Sequence, residues 1–192
     1  MPGMARPVAD ERDALLTFLA GERYVLRLTA YGLTDEDIRK TPSASDLSIG
    51  GVIKHVAASE RRWADMVAKR FRPRSVEEYM TDFRVEPEET AESILDDYAD
   101  VAASTDALIA DIPDLGQAVP VPKGVPWFPN DVDAWSVRWV LHHLIQETAR
   151  HTGHADIIRE SLDGATAFPL MAAAEGWSMP PLVEPWKPAA RA

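Results

Sequence analysis

The chemistry open to this chain is set by five histidines and no cysteine. Four of the histidines, His142, His143, His151 and His154, crowd one segment with Glu147 between them, reading His143-x3-Glu147-x3-His151-x2-His154. Steps of three or four residues bring side chains onto neighbouring turns of one helical face. The apolar stripe from Leu141 and Leu144 to Ala155 and Ile158 passes through the neighbourhood of Glu147, Thr148 and His151, so ionisable groups stand where a core asks for Leu or Ile. A carboxylate buried there without a partner costs several kcal/mol or takes up a proton. A divalent metal removes that penalty.

The remaining histidine, His55, lies between Val52 and Val56 on another helical segment. If the two helices pack, His55 meets Glu147 and His151 to give two imidazoles and one carboxylate. That donor set suits zinc, with nickel or ferrous iron as alternatives, and leaves at least one coordination position open. A His/Glu pair four residues apart is equally the mark of a solvated face, where pairing contributes only a few tenths of a kcal/mol. Spacing alone leaves the two readings level. His142 points away from the 147/151 pair and is expected outside.

Without cysteine there is no protein thiol nucleophile, no thiolate ligand and no disulfide, so any sulfur chemistry must be imported. The 192 residues carry 31 acidic and 20 basic side chains, a net charge of −11. That excess argues against binding nucleic acid or an anionic membrane, because no run of basic residues offers a local patch of opposite sign. The opening MPGMARPVADERD lacks the apolar core of a signal peptide, and nowhere do apolar residues run long enough to span a bilayer. A cytoplasmic protein is expected.

These residues need elements to hold them. Leu15, Leu16, Phe18, Leu19, Val25, Leu26 and Leu28 predict a first helix from about Asp10 to Tyr31, with Gly32 ending it. Ser48 is the candidate N-cap of a second, running to about Arg70 with Val52, Ile53, Val56, Trp63, Met66 and Val67 on one side. A third is expected from about Pro87 to Asp111, its acidic EPEET start facing the positive end of the helix dipole. The fourth and longest spans about Val132 to Asp163, stopped by Gly164. Between the last two, Pro113–Asp133 carries too many prolines for a helix or a central strand, and reads as a lid, a binding loop or a short hairpin. With no alternating strand pattern, the economical fold is an all-α antiparallel four-helix bundle over residues 1–168. A Pro/Trp-rich irregular tail over 169–192 follows, lying on the bundle by its two tryptophans or partly disordered.

The text LSIGGVIKHVAASERRWADMV, with Ser48, Gly50, His55, Glu60 and Trp63, and the later VRWVLHHLIQETARHTGHADIIRESLDGATA together resemble the DinB-like superfamily. The likeness covers about residues 10–168 and is narrower with the mycothiol-dependent, maleylpyruvate isomerase-like and mycothiol S-transferase branch. It implies a four-helix bundle with metal ligands His55, Glu147 and His151, a His-Glu-His version of the more common three-histidine pattern. It also implies a supporting or substrate-facing, hence catalytic, role for His154. A single-domain mycothiol S-transferase is the expected member, with mycothiol as thiol co-substrate.

The chemistry expected of such a site is physical. Two neutral imidazoles and one carboxylate leave a zinc site with a single net positive charge, which favours one further anion and ionises a thiol at neutral pH. The metal-bound thiolate then attacks a small electrophile. Trp127 and Phe128, in the proline-rich segment, are the candidate binding wall for it; equally, they simply cap the bundle end. The alternatives are a non-catalytic, stress-related metal-binding protein, favoured by a fourth protein ligand such as His143 or His154, and a metal-dependent hydrolase. The partners expected are a small-molecule thiol and an electrophile, with the chain as a homodimer.

Overall fold

The computed structural model describes residues 4–188, and helices account for most of it. Helix α1 spans Glu11–Leu28, capped by the Asp10 carboxylate, which accepts from the Asp13 amide. Helix α2, Ile49–Val67, begins where the sequence places it: the Ser48 hydroxyl accepts from the Gly51 amide. Such a cap satisfies one of the free amides of a first turn and stabilises by about 1 kcal/mol. Helix α4 is Ala91–Ala110, and its start is set by a reciprocal capping box between Thr90 and Ser93 rather than by the acidic run before it. Helix α5, Val137–Asp163, ends at Gly164, whose φ of 76° supplies the left-handed turn expected of a terminal glycine. α1 packs along α5, and α2 packs against both α4 and α5.

Three differences from the expected architecture matter. The proline-rich segment takes the short-hairpin alternative rather than a long open loop, and its second strand runs past the expected end at Asp133: β1, Ala118–Pro120, pairs antiparallel with β2, Ala134–Ser136. The molecule is therefore mostly helical rather than all-α, and α5 starts at Val137 because β2 occupies the turns assigned to it. A short helix, α3 (Val76–Met80), forms with its own capping box, Ser75 to Glu78. The tail is also not wholly irregular. Helix α6, Ala167–Glu175, crosses the expected boundary at residue 168, and Trp177 and Trp186 pack with Leu28, Ala165, Leu170 and Met171. Trp186 sits so close to Gly32 that a Cβ there would meet its ring at 2.7 Å, which together with a φ of 73° reserves the position for glycine. Residues 189–192 of the expected tail lie outside the described residues.

The apolar interior is divided. One cluster gathers Leu26, Ile38, Ile53, Val56, Ile94, Tyr98 and Ile158; the other gathers Leu19, Trp63, Met66, Ile109, Val140, Leu141 and Leu144. The stretch of α5 between Leu144 and Ala155 carries Glu147, Thr148, His151 and Thr152, so the polar interruption seen in the sequence falls between the two clusters. No helix among the described residues is long and apolar enough to cross a membrane.

Candidate metal centre

The packing of α2 on α5 brings His55, Glu147 and His151 together, with one donor atom from each lying within 4.8 Å of the others. Glu147 Oε1 is 3.4 Å from His151 Nε2 and 3.6 Å from His55 Nε2. These separations exceed ordinary hydrogen bonds. They match the edge of a tetrahedral zinc site, about 3.3 Å between donors when each bond is about 2.0–2.1 Å. His55 Nδ1 is buried without a hydrogen-bond partner, so the protein alone leaves this imidazole incompletely satisfied. Contacts with His151 first and His55 second hold the Glu147 carboxyl well below its usual range, which keeps it anionic. The residues present therefore fit a divalent cation.

The ring of His55 is held by packing. Phe83, in the 3-10 turn Thr81–Phe83, stacks on it at 3.8 Å and 12°. That turn can approach because α2 has glycine at 51, where a Cβ would come within 2.2 Å of the Phe83 carbonyl oxygen. His151 is buried at 9% exposure and is braced by His154, whose Nδ1 lies 3.4 Å from His151 Nδ1. His154 is titrated down by burial, with the neighbouring His151 and Arg150 adding to the shift. Neither His143 nor His154 joins the ligand cluster among the described residues. His142 is exposed, its Nδ1 against the Arg138 carbonyl at 2.9 Å.

His55 and Glu147 line a cavity of about 660 Å³, whose walls also include Trp127, Phe128 and His143 but neither His151 nor His154. Both expected wall residues, Trp127 and Phe128, thus face the cavity rather than only capping the molecule. The sequence reading missed the other rings. Trp135, Trp139 and His143 form an offset stack, 4.7 Å at 8° and then 5.2 Å at 7°. Their step of four continues through Glu147 to His151, so one ridge of α5 leads from the hairpin to the three donors. That signal stood in the sequence, but it was read only from His143 onward. Burial holds the His143 pKa below its usual value, and its ring meets Trp63 at 4.5 Å.

A second omission is electrostatic. Arg61, Arg62, Lys69, Arg70, Arg72 and Arg74 gather around one surface depression that shares Arg62 and Phe71 with the cavity. The expectation of no local basic patch is corrected. These side chains come from the end of α2 and the segment after it, with Asp65, Phe71 and Pro73 interleaved, so no run of like charge advertises them.

A family model described as mycothiol S-transferase matches residues 14–164. Among solved structures, one described as "the conserved protein of locus from Enterococcus faecalis" is similar to this chain at a TM-score of 0.56. It is 16% identical, and the alignment covers 82% of this chain and 100% of that one, a likeness of fold alone. No curated protein matches the sequence.

Proposed function

This chain belongs to the mycothiol S-transferase family, and from that premise we propose that it is a metal-dependent transferase joining a mycothiol-like thiol to a small electrophile. The observation that carries the reading is the convergence of His55, Glu147 and His151, the first two lining an aromatic cavity, in a chain that holds no cysteine of its own. Three donors and not four favour an open site over a closed structural one. We take the four long helices as an antiparallel four-helix bundle of the DinB-like type, supported by the packing of α1 on α5 and of α2 on α4 and α5.

His55, Glu147 and His151 are the proposed ligands, with zinc the metal that their mixed nitrogen and oxygen donors suit best. Bound there, the cation supplies the positive charge that ionises an incoming thiol at neutral pH. Trp127 and Phe128 form part of the wall that excludes water and holds the electrophile. His143, kept neutral by burial and free of hydrogen bonds among the described residues, is placed to accept the thiol proton. As the sulfur–carbon bond forms, the leaving group departs with its electron pair. His154 supports the His151 ring and acts as a positioning residue.

The test is a conjugation assay on metal-loaded and metal-stripped protein with mycothiol, bacillithiol, glutathione or no thiol. Product that needs both metal and mycothiol supports the reading. Turnover of an ester or amide without any thiol overturns it in favour of hydrolysis.

A further inference from the structure

Four of the chain's six tryptophans, Trp63, Trp127, Trp135 and Trp139, line the cavity beside the three donors. Two keep large apolar faces uncovered, Trp127 at 46% exposure and Trp139 at 40%. Flat rings favour an occupant with a conjugated body, which meets ring edges and faces better than an aliphatic one. Arg62 lines the cavity, while Arg74 lies in the adjoining depression; the two share one carboxylate, Asp82, and both guanidinium groups lie against the Tyr79 ring of the cavity wall, at 4.6 and 5.5 Å. Glu78, on the same depression, also acts on Arg74, so the surplus of positive charge comes from the adjoining Lys69 and Arg72, neither of which has an ion pair among the described residues. In a protein of net charge −11 this is a local reversal of sign, in a depression that shares Arg62 and Phe71 with the apolar cavity.

We propose that the electrophile taken by this cavity has a flat conjugated body and an anionic substituent, the body lying against the Trp139 and Trp127 walls and the anion at Arg62 and Arg74. The assignment rests on the transferase reading for the word electrophile; the ligand class rests on the cavity itself. A guanidinium–carboxylate pair at Arg62 would also fix one end of the ligand in a cavity that His55 and Glu147 line as well. For an activated aryl chloride the step balances without an oxidant. The sulfur–carbon bond forms, the carbon–chlorine bond breaks with its pair leaving as chloride, and the thiol proton passes to His143 and then to water.

The test has two arms on the full chain. In the first, quenching of tryptophan emission by meta-nitrobenzoate and by the neutral meta-nitrobenzamide is compared, with no thiol present. The expected result is saturable binding about tenfold tighter for the anion. That preference should disappear in Arg74→Gln and in Arg62→Gln and fall as salt rises in the unaltered protein, which needs no variant to fold. Trp139→Leu should weaken both probes. Equal binding of the two probes, or quenching unchanged in Trp139→Leu, overturns the assignment. So does a dimer in sedimentation that shields these tryptophans and excludes both probes, because the uncovered face then belongs to a second copy. In the second arm, a chloro-nitrobenzoate and the matching amide are offered with mycothiol and metal. Anion-selective binding without conjugation of either compound leaves the ligand class standing and overturns the transferase reading, so the two failures are distinct.

Discussion

Two polar clusters interrupt the apolar interior, little more than one turn apart on α2, and they are built on opposite principles. Arg23 is 5% exposed, and all three of its guanidinium nitrogens are engaged. Nε and Nη2 donate to Glu60 at 3.1 and 2.6 Å, and Nη1 donates to Asp106 at 2.9 Å. Burial alone would lower the Arg23 pKa, yet the charges of Glu60 and Asp106 more than offset it. The His55, Glu147 and His151 cluster has one carboxylate facing two imidazoles across 3.4 and 3.6 Å, and a buried His55 nitrogen with no partner. A cluster that satisfies itself holds a fold together. One that leaves donors convergent and incompletely satisfied, at the edge of a cavity, is arranged for something the protein must bind.

The contrast breaks first, and with the largest effect, at Glu60. Its side chain is fully buried, so Glu60→Ala strands a guanidinium with only the half-exposed Asp106, and the loss is expected at about 3–5 kcal/mol. Urea denaturation should show a matching fall in midpoint. Arg23→Met combined with Glu60→Leu should recover much of it, because an apolar pair needs no counter-charge. If Glu60→Ala instead strips metal while leaving stability intact, the two clusters have been assigned the wrong way round.

At the triad the ordering should reverse. His55→Ala, Glu147→Ala and His151→Ala are each expected to cost the metal-free protein less stability than Glu60→Ala does, Glu147→Ala the most of the three, yet each should remove most bound metal in elemental analysis. Chelation of the unaltered protein should then lower its stability by about 2.7 kcal/mol from a starting free-metal level one hundred times Kd. Equal metal content in all three variants would remove these residues as ligands.

How much of this was readable beforehand follows the same divide between local and assembled features. Ser48 as a cap and Gly164 as a stop are local backbone chemistry and need no tertiary context, so both hold. The convergence of His55 with Glu147 and His151 was legible because each breaks an apolar stripe, and two stripes on long helices have few ways to meet. The α5 start was misplaced by five residues, Val132 against Val137, because Val132 and Asp133 flank a strand too short to show alternation. Phe83 left no trace, since a three-residue turn has no periodicity and its approach depends on Gly51 far along the chain. The Arg62, Arg74 and Asp82 group was equally hidden, its members drawn from separate elements. Ser75-x-x-Glu78 was a visible capping box, but five residues of helix fall below what a stripe can reveal.

Acid should separate the clusters by a smaller amount. Burial lowers the folded-state pKa of His143 below its unfolded value near 6.5, so between those values the unfolded chain binds more protons. Its share of stability is therefore complete above about pH 6.5 and declines as pH falls. Glu147 is an acid with a lowered pKa, so its share is present above about pH 4.5 and is lost only at more acidic pH. The urea midpoint of the metal-free protein should accordingly fall in two stages, and His143→Gln should shrink the upper one, leaving the part that His154 contributes. Metal affinity should weaken over the upper range as well, because an imidazole must be neutral to ligate. An upper stage of the same size in both proteins would show that His143 is solvated rather than buried.

The smallest effects distinguish the two histidines that the sequence sets near the triad but that the fold leaves outside it. His154 touches His151 at 3.4 Å and is only partly buried, so its ring restrains the ligand from one side while water can take over part of the contact. Removing such a support costs metal affinity by a factor of about ten, the lower end of what a ligand's hydrogen-bond partner contributes. His154→Ala should therefore retain metal at saturating concentration and release it sooner in a chelator titration, with His154→Gln recovering part of the loss. His142, one residue from His143 in sequence, turns its Nδ1 to the Arg138 carbonyl on the solvent side of α5. His142→Ala should leave metal affinity unchanged and shift stability within about 0.5 kcal/mol. Four histidines within one helix thus predict four different outcomes: lost binding at His151, weakened binding at His154, an altered pH response at His143, and none of these at His142. If His142→Ala and His154→Ala behave alike in the chelator titration, the contact with His151 carries no energetic weight and the triad stands on its own packing.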